Sequence, residues 1–298
     1  MKYDMTPAAV ALGTFDGLHL GHMAVIRAAL AASGTTPEAL LFDTHPLEAL
    51  RGQAPPALLT AAQRLDMLEA LGVRGVTVRF AEIRDMSPET FVRAILRDRL
   101  GASRVFCGGN YRFGRGGAGT AETLTALCAR EGIAVSTVPA VLWGGALISS
   151  TRIREALSRG DVPEANAMLG RRFGYAFPVA HGDARGHSLG FPTANQHFPA
   201  GFCIPRHGVY ASTATVGGRL YPAMTNIGVR PTVDGTRARS ETHIFGFSGD
   251  LYGTGVPVAL LRFVRDERRF DSLDALIRQM TCDRAVCEQI CKEEGVCL

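Results

Sequence analysis

The chain has 298 residues, enough for two hydrophobic cores of ordinary size, and its 46% hydrophobic and 20% charged composition is that of a globular protein. No apolar run approaches the ~20 residues that span a bilayer, and the N-terminus MKYDMTPAAV lacks the long apolar stretch of a secretory signal, so the cytoplasm is the expected compartment and no membrane partner is expected. A net charge of +4 without a dense Lys/Arg block argues against a nucleic-acid-binding arm, and lysine occurs only at Lys2 and Lys292, which excludes both a Walker A loop and an internal kinase lysine.

Up to about Gly170, short apolar runs alternate with amphipathic helical ones, the βα rhythm of a parallel sheet. AVALGTF, EALLFD, GVTVRF, SRVFCGG and GIAVSTV have strand character, and HMAVIRAALAAS, TAAQRLDMLEALG, SPETFVRAILRDRL and TAETLTALCAREG have helix character. Ser87 followed by Pro88 is an N-cap signal, and Gly72 and Gly132 are C-cap signals. A doubly wound sheet binds its ligand at the carboxyl ends of its strands. At that place the first strand runs into GTFDGLHLGH. With a helix starting near Leu20, the unpaired N–H groups and helix dipole make an anion site. Gly21 then lets a phosphate approach the backbone, and His19 and His22 can point at the same phosphates, which suits a nucleoside triphosphate. Further on, ISSTRIREAL puts Ser149, Ser150 and Thr151 at a helix start with Arg152 and Arg154 just inside. Hydroxyls and free N–H groups there can hold phosphate oxygens and Arg154 can stabilise a leaving pyrophosphate, the plain alternative being an ordinary N-cap.

After DVPEANAMLGRRFG the rhythm changes to closely spaced β-rich segments, FPVAHGD, HGVYASTATV, RLYPAMTNIG, ETHIFGF and VPVALLRFV, separated by Gly, Pro and Asn. This pattern predicts a small antiparallel barrel, and DSLDALIRQMTCDRAVCEQICKEE predicts a closing helix capped by Asp271 or Ser272. Two domains follow, 1–168 and 169–298, joined through a helix at Asp161 to Leu169, with no internal repeat or low-complexity linker. Within FPTAN, Thr193 and Asn195 occupy alternate positions of an expected strand and so face the same way. Two neutral oxygens aimed at one point can support a Mg²⁺ whose other ligands are phosphates and water, the plainer reading being a turn and a strand edge. Seven cysteines are too sparse for a disulfide scaffold, and the C-x4-C-x3-C-x5-C run from Cys282 through Cys287 and Cys291 to Cys297 lacks paired C-x2-C units, so these are expected to be helix cysteines without chemistry.

The H-x-G-H element with the downstream S-T-x-x-R element resembles the nucleotidyltransferase superfamily. More closely, LGTFDGLHLGH, FDTHP, GGNYRFG and ISSTRIR, in this order across most of residues 10–160, resemble the adenylyltransferase module of the prokaryotic bifunctional riboflavin kinase/FAD synthetase family. GDARGHSLGFPTAN, GVYAS, TNIGVRPTV, ETHIFGFSGDLYG and RDERRFDSLDALI are similar to its riboflavin kinase domain. The resemblance implies a Rossmann-like nucleotidyltransferase parallel sheet followed by a small antiparallel β-barrel with a C-terminal helix. It implies two reactions: riboflavin is phosphorylated by ATP to FMN, and FMN is adenylylated by a second ATP to FAD with release of pyrophosphate. Riboflavin, FMN and ATP are then the partners, Mg²⁺ the assisting ion, and no nucleic acid is expected.

By the same resemblance His19 and His22 bind ATP phosphates, Asn110 helps hold the nucleotide, and Ser150, Thr151 and Arg154 complete the pyrophosphate site, with Gly13, Phe15, Asp16 and Gly21 in the binding set. Asp16 either orients the flavin or the metal or fixes the TFDG turn. In the second half Gly190, Pro192, Thr193 and Asn195 are implied to bind Mg-ATP, and Glu241 to be the general base for the riboflavin 5′-hydroxyl. The alternative for Glu241 is a strand-edge carboxylate paired with Arg237 or Arg239. Two positions depart from the family. Thr44 stands where FDTHP has Pro in relatives, so His45 and Pro46 are left out of the catalytic set, and His187 replaces an arginine after RG, where a largely neutral imidazole weakens a phosphate contact. These departures motivate the alternative that only one half is competent. A regulatory flavin-binding or RNA-binding protein would call for a basic stripe with interleaved aromatics, which 7% aromatic content does not favour, and the lysine-rich loop of a tRNA synthetase is excluded.

Overall fold

The five residues Ala8–Leu12 form strand β1 and are all buried: Ala8, Val10 and Leu12 face one side of a sheet, Ala9 and Ala11 the other. The structure, a computed structural model, describes residues 6–181, 191–232 and 235–297, and falls into two compact units, Met1–Ser150 and Thr151–Leu298.

In the first unit β1 is followed by α1 (Leu20–Leu30), β2 (Thr36–Phe42), α2 (Pro46–Arg51), α3 (Ala61–Ala70), β3 (Arg74–Val78), α4 (Phe80–Ile83), α5 (Pro88–Phe91), β4 (Ala102–Gly108), α6 (Ala121–Arg130), β5 (Ala134–Val138), β6 (Leu142–Trp143) and β7 (Ala146–Leu147). α5 continues as a wider π-helical stretch, Val92–Arg99. Strands β1 to β5 make one parallel sheet in the order β3-β2-β1-β4-β5. Val25, Ile26 and Ala29 of α1 and Leu68 of α3 cover one face over Ala9, Ala11, Ala39 and Leu41. Phe91, Val92, Ile95 and Leu96, with Leu124, Leu127 and Cys128 of α6, cover the other. This is a doubly wound sheet, and all five expected strands are present. Ser87 caps α5 as expected, its hydroxyl accepting from the Thr90 N–H at 3.2 Å. β1 stops at Leu12, short of the AVALGTF run, because Phe15 and Leu18 adopt left-handed φ of 52° and 42° and turn the chain away. Besides the one-turn α4, which begins at Phe80 where GVTVRF was expected to run on as strand, two elements lie outside the sequence expectation. The first is α2, capped by His45, whose Nδ1 accepts from the Leu47 N–H at 3.1 Å. The second is the β6-β7 hairpin, turned by Gly144 and Gly145 at φ of 58° and 77°, the type I′ sense that glycine pairs favour.

The second unit holds α7 (Ser150–Arg159), whose first residue belongs to the first unit, then α8 (Val162–Leu169), β8 (Gly174–Ala180), β9 (Ala194–His197), β10 (Gly208–Val216), β11 (Arg219–Thr232), β12 (Gly235–Ile244), β13 (Gly255–Arg265) and α9 (Leu273–Glu293). Its six strands close into an antiparallel barrel in the order β10-β11-β12-β9-β8-β13. A buried row of hydroxyls, Ser212 to Thr225 at 2.8 Å and Thr225 to Thr242 at 2.9 Å, ties neighbouring strands together, and Gln196 donates to the Phe177 and Val256 carbonyls. Helix α9 starts on a Ser272 cap and packs Cys287, Ile290 and Cys291 against Val209, Ala211, Met224 and Leu261. The buried Cys287 and Cys291 thiols point at the carbonyls of Tyr210 and Ser212, while Cys282 and Cys297 are exposed, and none of the seven cysteines is in a disulfide.

The break between the units falls after Ser150, the first residue of α7, whereas the change of rhythm suggests a junction at 168/169. Sequence rhythm changes where helices give way to strands, but α8 packs with the strands that follow it. Asn166 Nδ2 donates to the Leu260 carbonyl at 3.0 Å, its Oδ1 accepts from the Phe173 N–H at 2.6 Å, and the Arg206 N–H reaches the Leu157 carbonyl of α7 at 2.9 Å. No helix among the described residues is long and apolar enough to cross a membrane.

Candidate active sites

The parallel sheet reverses its winding between β1 and β4: the chain passes from β1 outward to β2 and β3, then returns to β4 on the other side. A crevice at such a switch point, at the carboxyl ends of the strands, is where doubly wound sheets take ligands. Here it is bordered by the loop Gly13–His19 after β1 and by Asn110, which is exposed just beyond the end of β4.

The first loop is tightly held. Asp16 is buried, and its Oδ1 accepts from the Leu58 N–H at 2.9 Å, while its carbonyl accepts from the Ser150 hydroxyl at 2.8 Å. Residue 17 has a φ of +82°, and a Cβ there would meet Leu58 Cδ1 at 2.7 Å, so only glycine lets the loop close on Leu58. Phe15, fully buried, packs its ring edge toward His22 with centroids 5.4 Å apart. Non-glycine residues held at positive φ beside a crevice are a common mark of a functional loop.

His19 is the N-cap of α1. Its Nδ1 accepts from the His22 N–H at 3.2 Å, so the ring proton of the neutral form sits on Nε2. The two imidazoles stack at 3.7 Å and 14°. Gly21 leaves room for that stack, since a Cβ would come within 3.1 Å of the His19 ring. His22 Nδ1 is buried and has no hydrogen-bond partner among the described residues. Burial first, then the neighbouring His19, then the Arg64 charge hold the His22 pKa well below its ordinary value, so the ring is neutral at pH 7.

Arg64 on α3 escaped the sequence reading. Its Nη1 donates to the Thr14 carbonyl at 3.2 Å and its Nη2 reaches the Phe42 carbonyl at 3.5 Å, which places a guanidinium across the ends of β1 and β2. Burial lowers its pKa and the Asp16 carboxylate opposes that shift, yet it remains a cation. Only a contact some fifty residues apart in sequence reveals it, and no local motif marks it. Thr151 and Arg154 lie on α7 in the second unit, where Arg152 pairs with Glu164 at 3.4 Å.

In the barrel, β9 begins at Ala194, so Thr193 immediately precedes it instead of lying within it. The two expected ligands nonetheless meet: Asn195 Nδ2 donates to the Thr193 carbonyl at 3.2 Å and lies 3.4 Å from its hydroxyl. Asn195 stands directly opposite Glu241 in the β9-β12 register. Glu241 forms an ion pair with Arg239, one of the two partners named by the plain alternative, and that pair leaves the carboxylate beside Asn195. His243, two residues beyond on the same face of β12, was missed. Its Nδ1 lies 2.9 Å from the Pro192 carbonyl, Phe191 packs on its ring, and its buried Nε2 has no partner among the described residues. Burial lowers its pKa, with the Pro192 contact opposing, so it clamps the start of β9 as a neutral ring. The i, i+2 spacing within ETHIF was the signal available for it. Gly190 and His187 lie outside the described residues.

Comparison with known proteins divides the chain in the same sense. A family model described as FAD synthetase matches residues 2–152 and one described as riboflavin kinase matches residues 169–291. Bifunctional riboflavin kinase/FMN adenylyltransferases are similar over nearly the whole chain. That of Bacillus subtilis is 32% identical, covering 95% of this chain and 92% of the relative, and that of Pseudomonas fluorescens 34%, covering 92% and 90%. A crystal structure described as a macrolide-efflux protein from Streptococcus pneumoniae matches with a TM-score of 0.86 and 32% identity over 96% of this chain and 95% of that one. The efflux description belongs to that protein; the agreement in fold over both units is what bears on this chain. With both family models matched in order and relatives this similar along its length, the chain belongs to the bifunctional riboflavin kinase/FMN adenylyltransferase family.

Proposed function

We propose that this chain makes FAD from riboflavin in two steps at two sites. The barrel transfers the γ-phosphoryl group of ATP to riboflavin, giving FMN and ADP. The parallel-sheet unit joins FMN to the AMP part of a second ATP, giving FAD and pyrophosphate. The observation that carries this reading is the stacked His19–His22 pair at the switch point of the sheet, in a chain whose barrel also sets Glu241 opposite Asn195.

In the adenylyl site an FMN phosphate oxygen attacks the α-phosphorus of ATP, the bond to the β,γ-pyrophosphate breaks, and no covalent enzyme intermediate is needed. His19 donates from Nε2 to the triphosphate, and His22 gains a partner for its buried nitrogen and a proton when the phosphates arrive. Asn110 holds the nucleotide from the β4 side. Ser150 takes the pyrophosphate, with Thr151 and Arg154 assigned to it by family resemblance alone. Asp16 acts by shaping the loop, since its Oδ1 and its carbonyl are both engaged with the protein. Gly13 and the Phe15 backbone line the floor, the Phe15 ring being buried.

In the kinase site Glu241 takes the proton of the 5′-hydroxyl as that oxygen bonds to the γ-phosphorus and ADP departs. Pro192, Thr193 and Asn195 face the nucleotide, with Gly190 assigned there by family resemblance alone. Thr193 and Asn195, two residues apart, offer two neutral oxygens, and among the described residues no group of three His, Cys, Asp or Glu side chains converges on a metal position. That donor set fits a Mg²⁺ that arrives with the triphosphate, and the ion supplies charge neutralisation for the phosphates.

Separate assays of the two steps test the division. Glu241→Ala is expected to cut FMN formation by about 10²–10⁴-fold while supplied FMN is still converted to FAD, and His22→Ala is expected to accumulate FMN. Chromatographic separation of FMN from FAD reads both, and loss of both steps in either variant would show that the division is wrong.

A further inference from the structure

Asn226 of β11 stands directly opposite Glu241 of β12, as Asn195 of β9 does from the other side, so one row on one face of three strands runs Asn195, Glu241, Asn226. The Asn226 carboxamide is held from outside the barrel: its Nδ2 donates to Glu267 Oε1 at 3.2 Å, from the segment that follows β13. Residue 228 is glycine, and a Cβ there would push the Glu267 carboxylate aside. The N-x-G of TNIG and the glutamate of RDER therefore encode one contact between distant segments. A carboxylate can only accept, so it fixes which end of the carboxamide it meets; the NH₂ goes to Glu267 and Oδ1 is turned away as an acceptor.

We propose that Asn226 binds the flavin's polyol chain through Oδ1, which accepts from the hydroxyl next to the one Glu241 deprotonates, and that Glu267 is a positioning residue holding the carboxamide in that orientation. The proposal rests on Glu241 being the base. Its chemical logic is register. A ribityl chain carries several hydroxyls, and phosphorylation of the terminal one alone requires that the chain not slide past the base. An acceptor fixed one step along the row engages the penultimate hydroxyl and leaves the terminal one facing Glu241. Arg239, also on this face, holds Glu241 Oε1, so the base is itself fixed while the polyol is placed against it.

The test uses the full chain, riboflavin, ATP and Mg²⁺, with riboflavin and a riboflavin analogue lacking the penultimate (4′) hydroxyl as acceptors. Asn226→Ala is expected to lower kcat/KM for riboflavin about 10- to 100-fold, with the KM for ATP within about twofold of wild type. The wild-type enzyme is expected to lose a similar factor on the analogue, and Asn226→Ala to lose nothing further on it. Glu267→Ala is expected to reproduce most of the loss and to add nothing in the Asn226→Ala background. A further loss of Asn226→Ala on the analogue, an equal rise in the KM for ATP, or additive losses for the two substitutions would overturn the assignment. The analogue measurement on wild type needs no variant to fold. Glu241→Gln separates the two levels: persistent FMN formation there overturns the base and the proposal with it, whereas its loss alongside a wild-type riboflavin KM and kcat in Asn226→Ala overturns Asn226 alone.

Discussion

At the scale of single residues, His22 is the group most changed by its surroundings. The unfolded chain protonates it near pH 6.5, whereas burial, then His19, then Arg64 keep the native ring neutral to well below that. Between those two values the unfolded state binds more protons, so stability rises with pH across the window, is complete above about pH 6.5, and is lost as pH falls toward the native value. His243, also buried and lowered, contributes in the same direction. The melting temperature is therefore expected to fall between pH 7.5 and pH 5.5, and His22→Asn to flatten that slope. A slope unchanged in the variant would mean that His22 does not titrate as its burial requires. A triphosphate reverses the sign locally, because anions beside the ring favour the imidazolium. Calorimetric titration with ATP near pH 6, in buffers of different ionisation enthalpy, is expected to show proton uptake that disappears in His22→Asn.

At the scale of elements, a buried ion pair adds to the apolar contacts that join the barrel to its closing helix. Asp283 of α9 is 2% exposed and accepts two nearly parallel bonds from Arg265 of β13, Nε to Oδ1 at 2.9 Å and Nη2 to Oδ2 at 2.6 Å, with Gln279 adding a third at 2.8 Å. Removing one partner strands the other charge, so Asp283→Ala is expected to cost about 3–5 kcal/mol in urea unfolding followed through the second unit, and a double replacement by Leu and Met at 283 and 265 to recover much of it. The helix itself was legible, since its period of 3.6 residues and the Ser272 cap are written locally. The pair that docks it was not, because nothing in RDER or TCDR announces that the two segments meet. The same division holds in the sites. His19, His22, Asn195 and Glu241 sit in compact motifs and are legible there. Arg64, His243 and Glu267 act through partners far along the chain, and the left-handed turns at Phe15 and Leu18 follow from the closure of the loop on Leu58, which no local propensity encodes.

At the scale of the molecule, the question is which helices each catalytic unit needs in order to fold. The change of rhythm suggests that a kinase fragment can begin at residue 169, and the riboflavin kinase family model also starts there. The packing suggests an earlier start. Val162, Ala165, Met168 and Leu169 of α8 are buried, α8 lies on β13, and Asn166 satisfies the Leu260 carbonyl and the Phe173 N–H together. Cutting at 169 leaves those two backbone groups of β13 and the segment before β8 without their partner and opens the apolar surface that α8 covers. The unmade bonds cost about 1–3 kcal/mol each and the exposed side-chain contacts a comparable amount again. A fragment of residues 169–298 is therefore expected to melt at least about 10 °C below one of residues 151–298, which retains α8 and all but the first residue of α7. Both fragments carry Thr193, Asn195, Asn226, Glu241 and Glu267, so each is expected to make FMN at a temperature where it is folded, and neither to make FAD. Circular-dichroism melts with parallel FMN assays check this: equal melting temperatures would place α8 outside the folding unit of the kinase, and FAD formation by either fragment would move the adenylyl site out of the first unit.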